Sequence, residues 1–223
     1  MQGIQRLAQR HSIWQVFSDF AEVSAIAMSN AVDRGQRETR EARYLEVVKR
    51  YTAEEVAHFP RLFAELTQAL DARAEDVLGQ VFHDLELHQK YAGQFFSPTH
   101  LCRVMAKVTL GEPRDLYTRM ADRGFLTVQE PACGGGAMVI AIAGELLAAG
   151  INYQKALHVT ATDVDLKCVH MAYTQFALLG IPAVVVHGNS ISLEEWSRWY
   201  TPHHILHGWS RKLAQNRATD VAR

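Results

Sequence analysis

The feature that most constrains this chain is a run of three glycines, Gly134 to Gly136. The surrounding segment 127–139, TVQEPACGGGAMV, has the pattern of a strand end, a tight turn and a helix start. Glycine lets the backbone bend sharply and approach a ligand, and the first turn of a helix presents unpaired N–H groups. Glu130 precedes the turn, so a ligand here must satisfy a carboxylate as well as N–H donors. This combination favours a zwitterionic or polyhydroxy ligand over a polyphosphate.

Length and composition are typical of a globular protein with a sizeable core. The chain has 223 residues, of which 48% are hydrophobic and 21% charged, enough for one domain with an extension or two small domains. The formal net charge of −1 provides no overall attraction to nucleic acid. Three widely spaced cysteines indicate free thiols in a reducing compartment. No segment has the length of a membrane span or the pattern of a signal peptide, which predicts a cytoplasmic protein without membrane contact.

The first 90 residues predict a helical domain. Apolar residues recur at helical spacing over 5–30, 44–51, 60–70 and 77–85, and the charged segment 33–41 interrupts them. Thr52 and Glu55 match a capping box, and Pro60 suits the first turn of a helix. We interpret this region as a packing platform without chemistry of its own.

Two histidine-containing segments have some features of metal-ligand sets. In 83–88, HDLELH, Asp84 and His88 share a helix face, and 203–207, HHILH, contains three histidines. Neither has a partner cluster at ligand spacing, so surface or core residues are the favoured interpretation and we predict no metal site.

The second half of the chain predicts a parallel sheet. Strands at 125–130, 157–162 and 183–187 alternate with helices at 137–149 and 166–179. Ligands bind at the carboxyl ends of such strands, and the glycine turn, Asp163 and Asn189-Ser190 all fall there. A further helix is predicted to begin with Ser97 as its cap and Pro98 as its first residue, and to carry Leu101, Val104, Met105 and Val108.

Among nucleotide-type ligands, S-adenosylmethionine fits this edge best. A dinucleotide site lacks its third glycine, because Val139 stands at that position, and no Gly-Lys-Ser/Thr follows for a P-loop. The methionine part of S-adenosylmethionine offers an ammonium to carboxylates and a carboxylate to N–H groups. Asp163 is placed for the ribose hydroxyls and Asn189 for the adenine, while Asp165 suits the cap of the following helix.

Four motifs in order resemble the cofactor motifs of the N6-adenine DNA methyltransferases: GQFFSP at 93–98, EPACGGG at 130–136, TDVD at 162–165 and GNS at 188–190. The likeness covers roughly 91–192 and is closest to modification subunits of type I restriction systems and their plasmid-borne relatives. It implies a small Rossmann-like S-adenosylmethionine-dependent methyltransferase fold in 91–223, preceded by the helical domain 1–90. It also implies that the cofactor contacts come from Phe96, Pro98, Thr99, Glu130, Pro131, Ala132, Cys133, Gly134, Gly136, Asp163, Val164, Asn189 and Ser190.

The sequence departs from this family at the catalytic tetrapeptide, Asn/Asp-Pro-Pro-Tyr/Phe, which is absent. In the family its polar group and a proline carbonyl hold the target amino group, and its aromatic ring stacks on the flipped base. The segment TPHHILHGW, 201–209, stands in its place. If Ile205-Leu206 ended a fourth strand, His207 and Trp209 would be the candidates for the catalytic position. Two milder departures are Glu130 for the usual Asp and Gly135 for the usual Ser.

Two functions therefore remain open. The first is a methyltransferase that acts on the adenine amino group of DNA. The second is a catalytically inactive cofactor-binding module that regulates or partners a restriction–modification or plasmid-maintenance system. Methylation of RNA or a small molecule is a third possibility.

The expected sheet is small, of roughly four strands, and no target-recognition domain is evident. We therefore expect DNA contact to be weak or to be supplied by a partner subunit. A homo-oligomer is also compatible with the sequence.

Overall fold

A computed structural model of the chain describes residues 2–7, 10–85 and 97–221. The helices before the sheet are α1 Gln2–Leu7, α2 Ile13–Asn30, α3 Arg37–Val48, α4 Ala53–Val56, α5 His58–Ala72, α6 Val77–Asp84, α7 Thr99–Leu110 and α8 Pro113–Met120. The remaining elements are β1 Leu126–Glu130, α9 Ala137–Ala148, α10 Tyr153–Ala156, β2 Leu157–Asp163, α11 Leu166–Leu178, β3 Ala183–Asn189, β4 Glu194–Tyr200, α12 Pro202–Leu206 and α13 Trp209–Val221.

The described strands form one sheet in the order β1-β2-β3-β4. β1 pairs with β2 in parallel, with Leu126 opposite Leu157, and β2 pairs with β3 in parallel, with Val159 opposite Ala183. Because parallel neighbours need a crossover, α9 and α11 connect them and pack their apolar residues on one face of the sheet. The predicted strand–helix alternation and the Rossmann-like α/β fold are therefore confirmed.

Two hydrophobic clusters make up the core. One contains the buried face of the sheet with α9 and α11, and the other contains the apolar residues of the N-terminal helices. Helix α2 belongs to both, since Val16 and Phe20 lie in the helical cluster while Ala25 and Ile26 lie in the sheet cluster. The predicted boundary at residues 90 and 91 lies outside the described residues.

The fourth strand is not where the sequence predicted it. Ile205 and Leu206 belong to helix α12, because Pro202 occupies its first turn and Thr201 caps it by accepting a hydrogen bond from the His204 N–H. The strand β4 lies earlier, at 194–200, and runs antiparallel to β3. The pairing shifts register between His187 and Gly188, where a Cβ on Gly188 would lie 2.4 Å from the Glu194 carbonyl oxygen.

Several helix boundaries also differ from expectation. The predicted helix over 5–30 is two helices, because Ser12 caps α2, and α3 begins inside the charged segment, at Arg37. The capping box of Thr52 and Glu55 is confirmed. Among the described residues, none of the helices combines the length and the apolar character that a membrane span requires.

The helix predicted after the aromatic segment begins one residue later than expected. Its N-cap is Pro98 and no side chain caps it, so Ser97 does not have the predicted role. The face that packs on the core carries Cys102, Ala106 and Leu110. The four larger apolar side chains named from the sequence point outward instead, with exposed fractions from 45% for Leu101 to 78% for Val108.

Candidate functional site

A cavity of about 380 Å³ lies at the carboxyl ends of β1 and β2. Its walls come from the glycine turn, the loop after β2 and helix α7. Glu130 and Asp163 are its two carboxylates, and no lysine or arginine is among the described residues that line it. A cationic or zwitterionic group therefore matches its charge better than an anion.

The glycine turn has a backbone that other residues rarely adopt. Gly134 and Gly136 have φ angles of 52° and 97°, in the left-handed region. A Cβ on Gly136 would lie 2.5 Å from the Phe176 ring of α11. Glycine is thus required here both for the sharp bend and for the close packing of the turn on α11.

Asp163 joins the two loops of the site. Its Oδ2 accepts a hydrogen bond from the Gly134 N–H at 2.8 Å, and its Oδ1 accepts one from the Asp165 N–H at 2.9 Å. The Cys133 N–H also donates to the Thr162 carbonyl at 2.9 Å. Asp165 caps α11 by accepting from the Lys167 N–H, as the sequence predicted.

Glu130 lies between two cavities. Besides the first, it lines a second of about 420 Å³ with Pro131, Asn189 and Ser190. Burial raises the pKa of the Glu130 carboxyl, and the Asp163 charge raises it further, although its carboxylate accepts a hydrogen bond from the Ala132 N–H. The two cavities share Glu130, and we refer to them together as the crevice.

Asn189 is the last residue of β3, whereas the sequence predicted a strand that ends at His187 and is followed by Gly188-Asn189-Ser190. Its Oδ1 accepts hydrogen bonds from the N–H groups of Ile191 and Ser192, at 2.9 and 3.2 Å. The side chain therefore shapes the β3–β4 turn at the second cavity.

The three cysteines are free thiols, as predicted. All of them line the first cavity. Burial raises the pKa of each thiol, and for Cys133 and Cys168 the Asp163 charge is the next contribution. These groups are therefore neutral walls of the cavity and not nucleophiles.

The structure brings most of the predicted cofactor contacts to this crevice, but not all. Glu130, Ala132, Cys133, Gly134, Asp163 and Val164 line the first cavity. Pro98 and Thr99 begin α7 without lining it, and the Thr99 hydroxyl accepts a hydrogen bond from Gln80 at 3.3 Å. Phe96 lies outside the described residues.

Other lining residues were missed by the sequence reasoning. They are Ser97, Cys102, Met105, Gly135, Ala137, Met138 and Cys168. Ala137 and Met138 could have been predicted from the sequence, because they begin the helix directly after the glycine turn. Cys102 and Met105 come from α7, which no local pattern connects to the turn.

Neither catalytic candidate is positioned to act. Trp209 is fully buried (0% exposed) and packs edge-on against Phe125 with ring centroids 5.0 Å apart. Phe125 precedes β1 in the chain, so Trp209 lies at the opposite end of the sheet from the glycine turn. In this structure the core encloses the ring, so Trp209 does not present a face on which a base could stack. His207 ends α12 and lines neither cavity of the crevice.

The histidines of this segment make packing contacts. His204 Nδ1 lies 2.9 Å from His158 Nε2, and His204 Nε2 lies 2.8 Å from the Ser210 hydroxyl. Burial lowers the pKa of both imidazoles to about 4, and for His158 the neighbouring His204 contributes as well. Within the described residues, no group of three or more His, Cys, Asp or Glu side chains is arranged to hold a metal ion.

Comparison with known proteins identifies a family for most of this chain. A family model described as N-6 DNA Methylase matches residues 73–213, more than half of the chain. The matched range extends from the segment before α6 into α13, so it includes the last of the N-terminal helices as well as the sheet. No curated protein and no solved structure matches the chain.

Proposed function

Because the chain belongs to the N-6 DNA methylase family, we propose that it binds S-adenosylmethionine in the crevice and serves methyl transfer to the adenine amino group of DNA. Members of this family generally use that cofactor. When bound, S-adenosylmethionine supplies a methyl group activated by a sulfonium. The observation that carries the proposal is the Asp163 bridge, which joins the glycine turn to the loop after β2 at the edge of an acidic cavity.

The residues of the crevice suit the parts of this cofactor. Glu130 and the carbonyl groups of the turn would hold the ammonium, and N–H groups at the start of α9 would hold the carboxylate. Asp163 would accept the ribose hydroxyls, and the second cavity beside Asn189 and Ser190 would take the adenine. Catalysis by such a site is mainly positioning of the methyl donor, which needs little acid–base chemistry.

A second candidate function is a cofactor-binding module without turnover. The specific observation in its favour is the burial of Trp209 at the far end of the sheet, which leaves no aromatic ring of that segment for a flipped base. In this case an associated restriction–modification or plasmid-maintenance protein would supply the acceptor-binding groups. We propose the cytoplasm as the location for either function.

A protein partner is supported by helix α7. Leu101, Val104, Met105 and Val108 lie at helical spacing and are all exposed, and Met105 also lines the cavity. An apolar helix face beside the site is typical of an interaction surface. We propose that a partner subunit covers this face and provides DNA recognition.

The first experiment is calorimetric titration of the Asp163→Ala variant with S-adenosylmethionine. Binding should be abolished while circular dichroism still shows a folded protein, with unfolding free energy lowered by about 1–3 kcal/mol for the two lost acceptor contacts. The matched control is Asp165→Ala, which removes the α11 cap at a cost of about 1 kcal/mol but does not line the cavity, so binding should persist. Unchanged affinity of Asp163→Ala would refute the assignment of the crevice.

The second experiment incubates the wild-type protein with methyl-labelled cofactor and mixed DNA. Label in adenine supports the methyltransferase, whereas binding without transfer supports the module. A protein that does not bind the cofactor would exclude both functions.

A further inference from the structure

Asp76 is a buried carboxylate that lies behind the glycine turn. It belongs to the helical part of the chain, where it caps α6 by accepting a hydrogen bond from the Gly79 N–H at 2.8 Å. Its exposed fraction is only 4%. A Cβ on Gly135 would lie 2.8 Å from Asp76 Oδ1, so the missing side chain at the middle of the turn makes room for this carboxylate.

Gln175 connects Asp76 to the turn. Its Nε2 donates to Asp76 Oδ1 and to the Gly135 carbonyl oxygen, each at 2.8 Å. Its Oε1 accepts a hydrogen bond from the Leu78 N–H at 3.1 Å. Three partners therefore fix the orientation of one amide that is completely buried.

These contacts converge on the backbone of the site. Gly135 lines the cavity, and its carbonyl is the group that Gln175 holds from behind. Asp163 holds the preceding residue from the front, through the Gly134 N–H. Since glycine residues have the largest backbone freedom, a turn of three needs such restraints on both sides to keep one conformation.

We propose that Asp76 is a positioning residue for the cofactor, which acts through Gln175 to fix the Gly135 carbonyl and hence the whole glycine turn. The inference rests on the proposed binding of S-adenosylmethionine at this turn. It gives the helical part of the chain a role in the site, beyond the packing platform that its sequence suggested. Binding to a preorganised turn avoids the entropic cost of ordering it.

The decisive variant is Asp76→Ser. Serine is as good a helix cap as aspartate, so α6 should keep its start, but the shorter side chain cannot reach Gln175. We expect the Kd for S-adenosylmethionine to rise by up to about tenfold, the effect of losing one buried hydrogen bond. Asp76→Asn keeps an oxygen for both donors and should restore the affinity to within about threefold of wild type.

A matched control separates positioning from general destabilisation. Asp19 is also a buried aspartate of the helical part, and it accepts hydrogen bonds from Tyr51 and Arg50 without any contact to the turn. Asp19→Ser should lower the unfolding free energy and leave the Kd unchanged. An equal rise in Kd for the Asp19 and Asp76 variants would overturn the proposal, as would wild-type affinity in Asp76→Ser.

Hydrogen–deuterium exchange of the unliganded protein gives a readout that does not depend on the cofactor. The amides of 134–136 should exchange faster in Asp76→Ser and in Gln175→Met, but not in Asp19→Ser. The double variant should exchange no faster than Gln175→Met alone, because that substitution already removes the whole connection between Asp76 and the Gly135 carbonyl. If wild type does not bind S-adenosylmethionine, the proposed function fails. In that case the exchange rates still test whether Asp76 restrains the glycine turn. Unchanged exchange of 134–136 in Asp76→Ser would refute that restraint.

Discussion

The loops that follow β1 and β2 differ in construction from the segment that follows β3. In the first region, Asp163, Glu130 and the glycine turn direct polar groups to a shared cavity. In the second, from the β3–β4 turn to the start of α13, the aromatic and imidazole groups are largely used for packing, as Trp209 and His204 show. Both regions contain residue types common in active sites, but the histidines and Trp209 of the second region line neither the first nor the second cavity.

This difference explains how the edge proposed for the cofactor can coexist, within the described residues, with acceptor-site candidates that lie away from it. In a parallel sheet the loops after successive strands meet at one edge, so β1 and β2 bring their loops together. β4 is antiparallel, so the chain returns to the other end of the sheet before α12 begins. The histidines and Trp209 are therefore carried away from the crevice by topology.

The largest expected effect comes from Gly136→Ala in the first region. The residue would combine a φ of 97° with a Cβ 2.5 Å from the Phe176 ring, so we expect the unfolding free energy to fall by about 3–4 kcal/mol. Cofactor binding should be lost with it. Urea unfolding and calorimetry measure the two effects.

The matched control is Gly144→Ala, in the middle of α9, where an added Cβ meets no atom within 4 Å. Here alanine should stabilise the protein by about 0.5–1 kcal/mol, because it favours helix. Equal destabilisation by the two substitutions would contradict a special role for the turn.

The next effect concerns the second region and its pH dependence. Burial lowers the pKa of His158 and His204 to about 4, from an ordinary value of 6.5. Above pH 6.5 both imidazoles are neutral in the folded and unfolded states, so they contribute nothing to pH dependence there. Between pH 6.5 and 4 only the unfolded chain takes up the protons, so the unfolding free energy falls, by at most about 3 kcal/mol for a ring that is shielded from water.

Urea unfolding at pH 7 and pH 4.5 tests this expectation. His204→Gln keeps a hydrogen-bonding side chain that does not titrate, so it should show a smaller loss between the two pH values than wild type. The same loss in both proteins would mean that these rings are not the buried, neutral groups that anchor α12.

The smallest effect should come from the exposed β3–β4 turn. Leu193 has a φ of 61° and is 81% exposed, so its side chain strains the backbone and gains little burial in return. Leu193→Gly should raise the unfolding free energy by up to about 1 kcal/mol, measured by urea unfolding. Ile191→Gly is the control, since Ile191 is 93% exposed without a positive φ and should show no gain.

Local signals predicted the first region well. Glycine, aspartate and strand patterns are short-range features of the sequence. From them we predicted the turn, the Asp165 cap and the three parallel strands. The prediction for the second region was wrong because we expected another parallel strand, at Ile205-Leu206. The structure has an antiparallel strand at 194–200 and a helix at that position. Trp196 to Tyr200 contains the aromatic residues typical of a strand, and Pro202 signals the helix that follows.

The contact between Asp76 and Gln175 could not be predicted from a single sequence. These residues are 99 positions apart, and each has an ordinary local interpretation, as a helix cap and as a polar residue of a helix. The predicted roles of Asp163 and Asn189 at the cofactor remain predictions. What the structure adds is that both side chains already hold backbone N–H groups.

Helix α2 has a consequence for how the protein folds. Its first half is buried among the N-terminal helices and its second half, with Ala25 and Ile26, is buried against the sheet. Both hydrophobic clusters need residues of α2, so we expect the two clusters to unfold together in one cooperative transition. In evolutionary terms, the N-terminal helices are not a module that can be lost or exchanged independently, because removing them would also remove the α2 residues that pack in the core of the sheet.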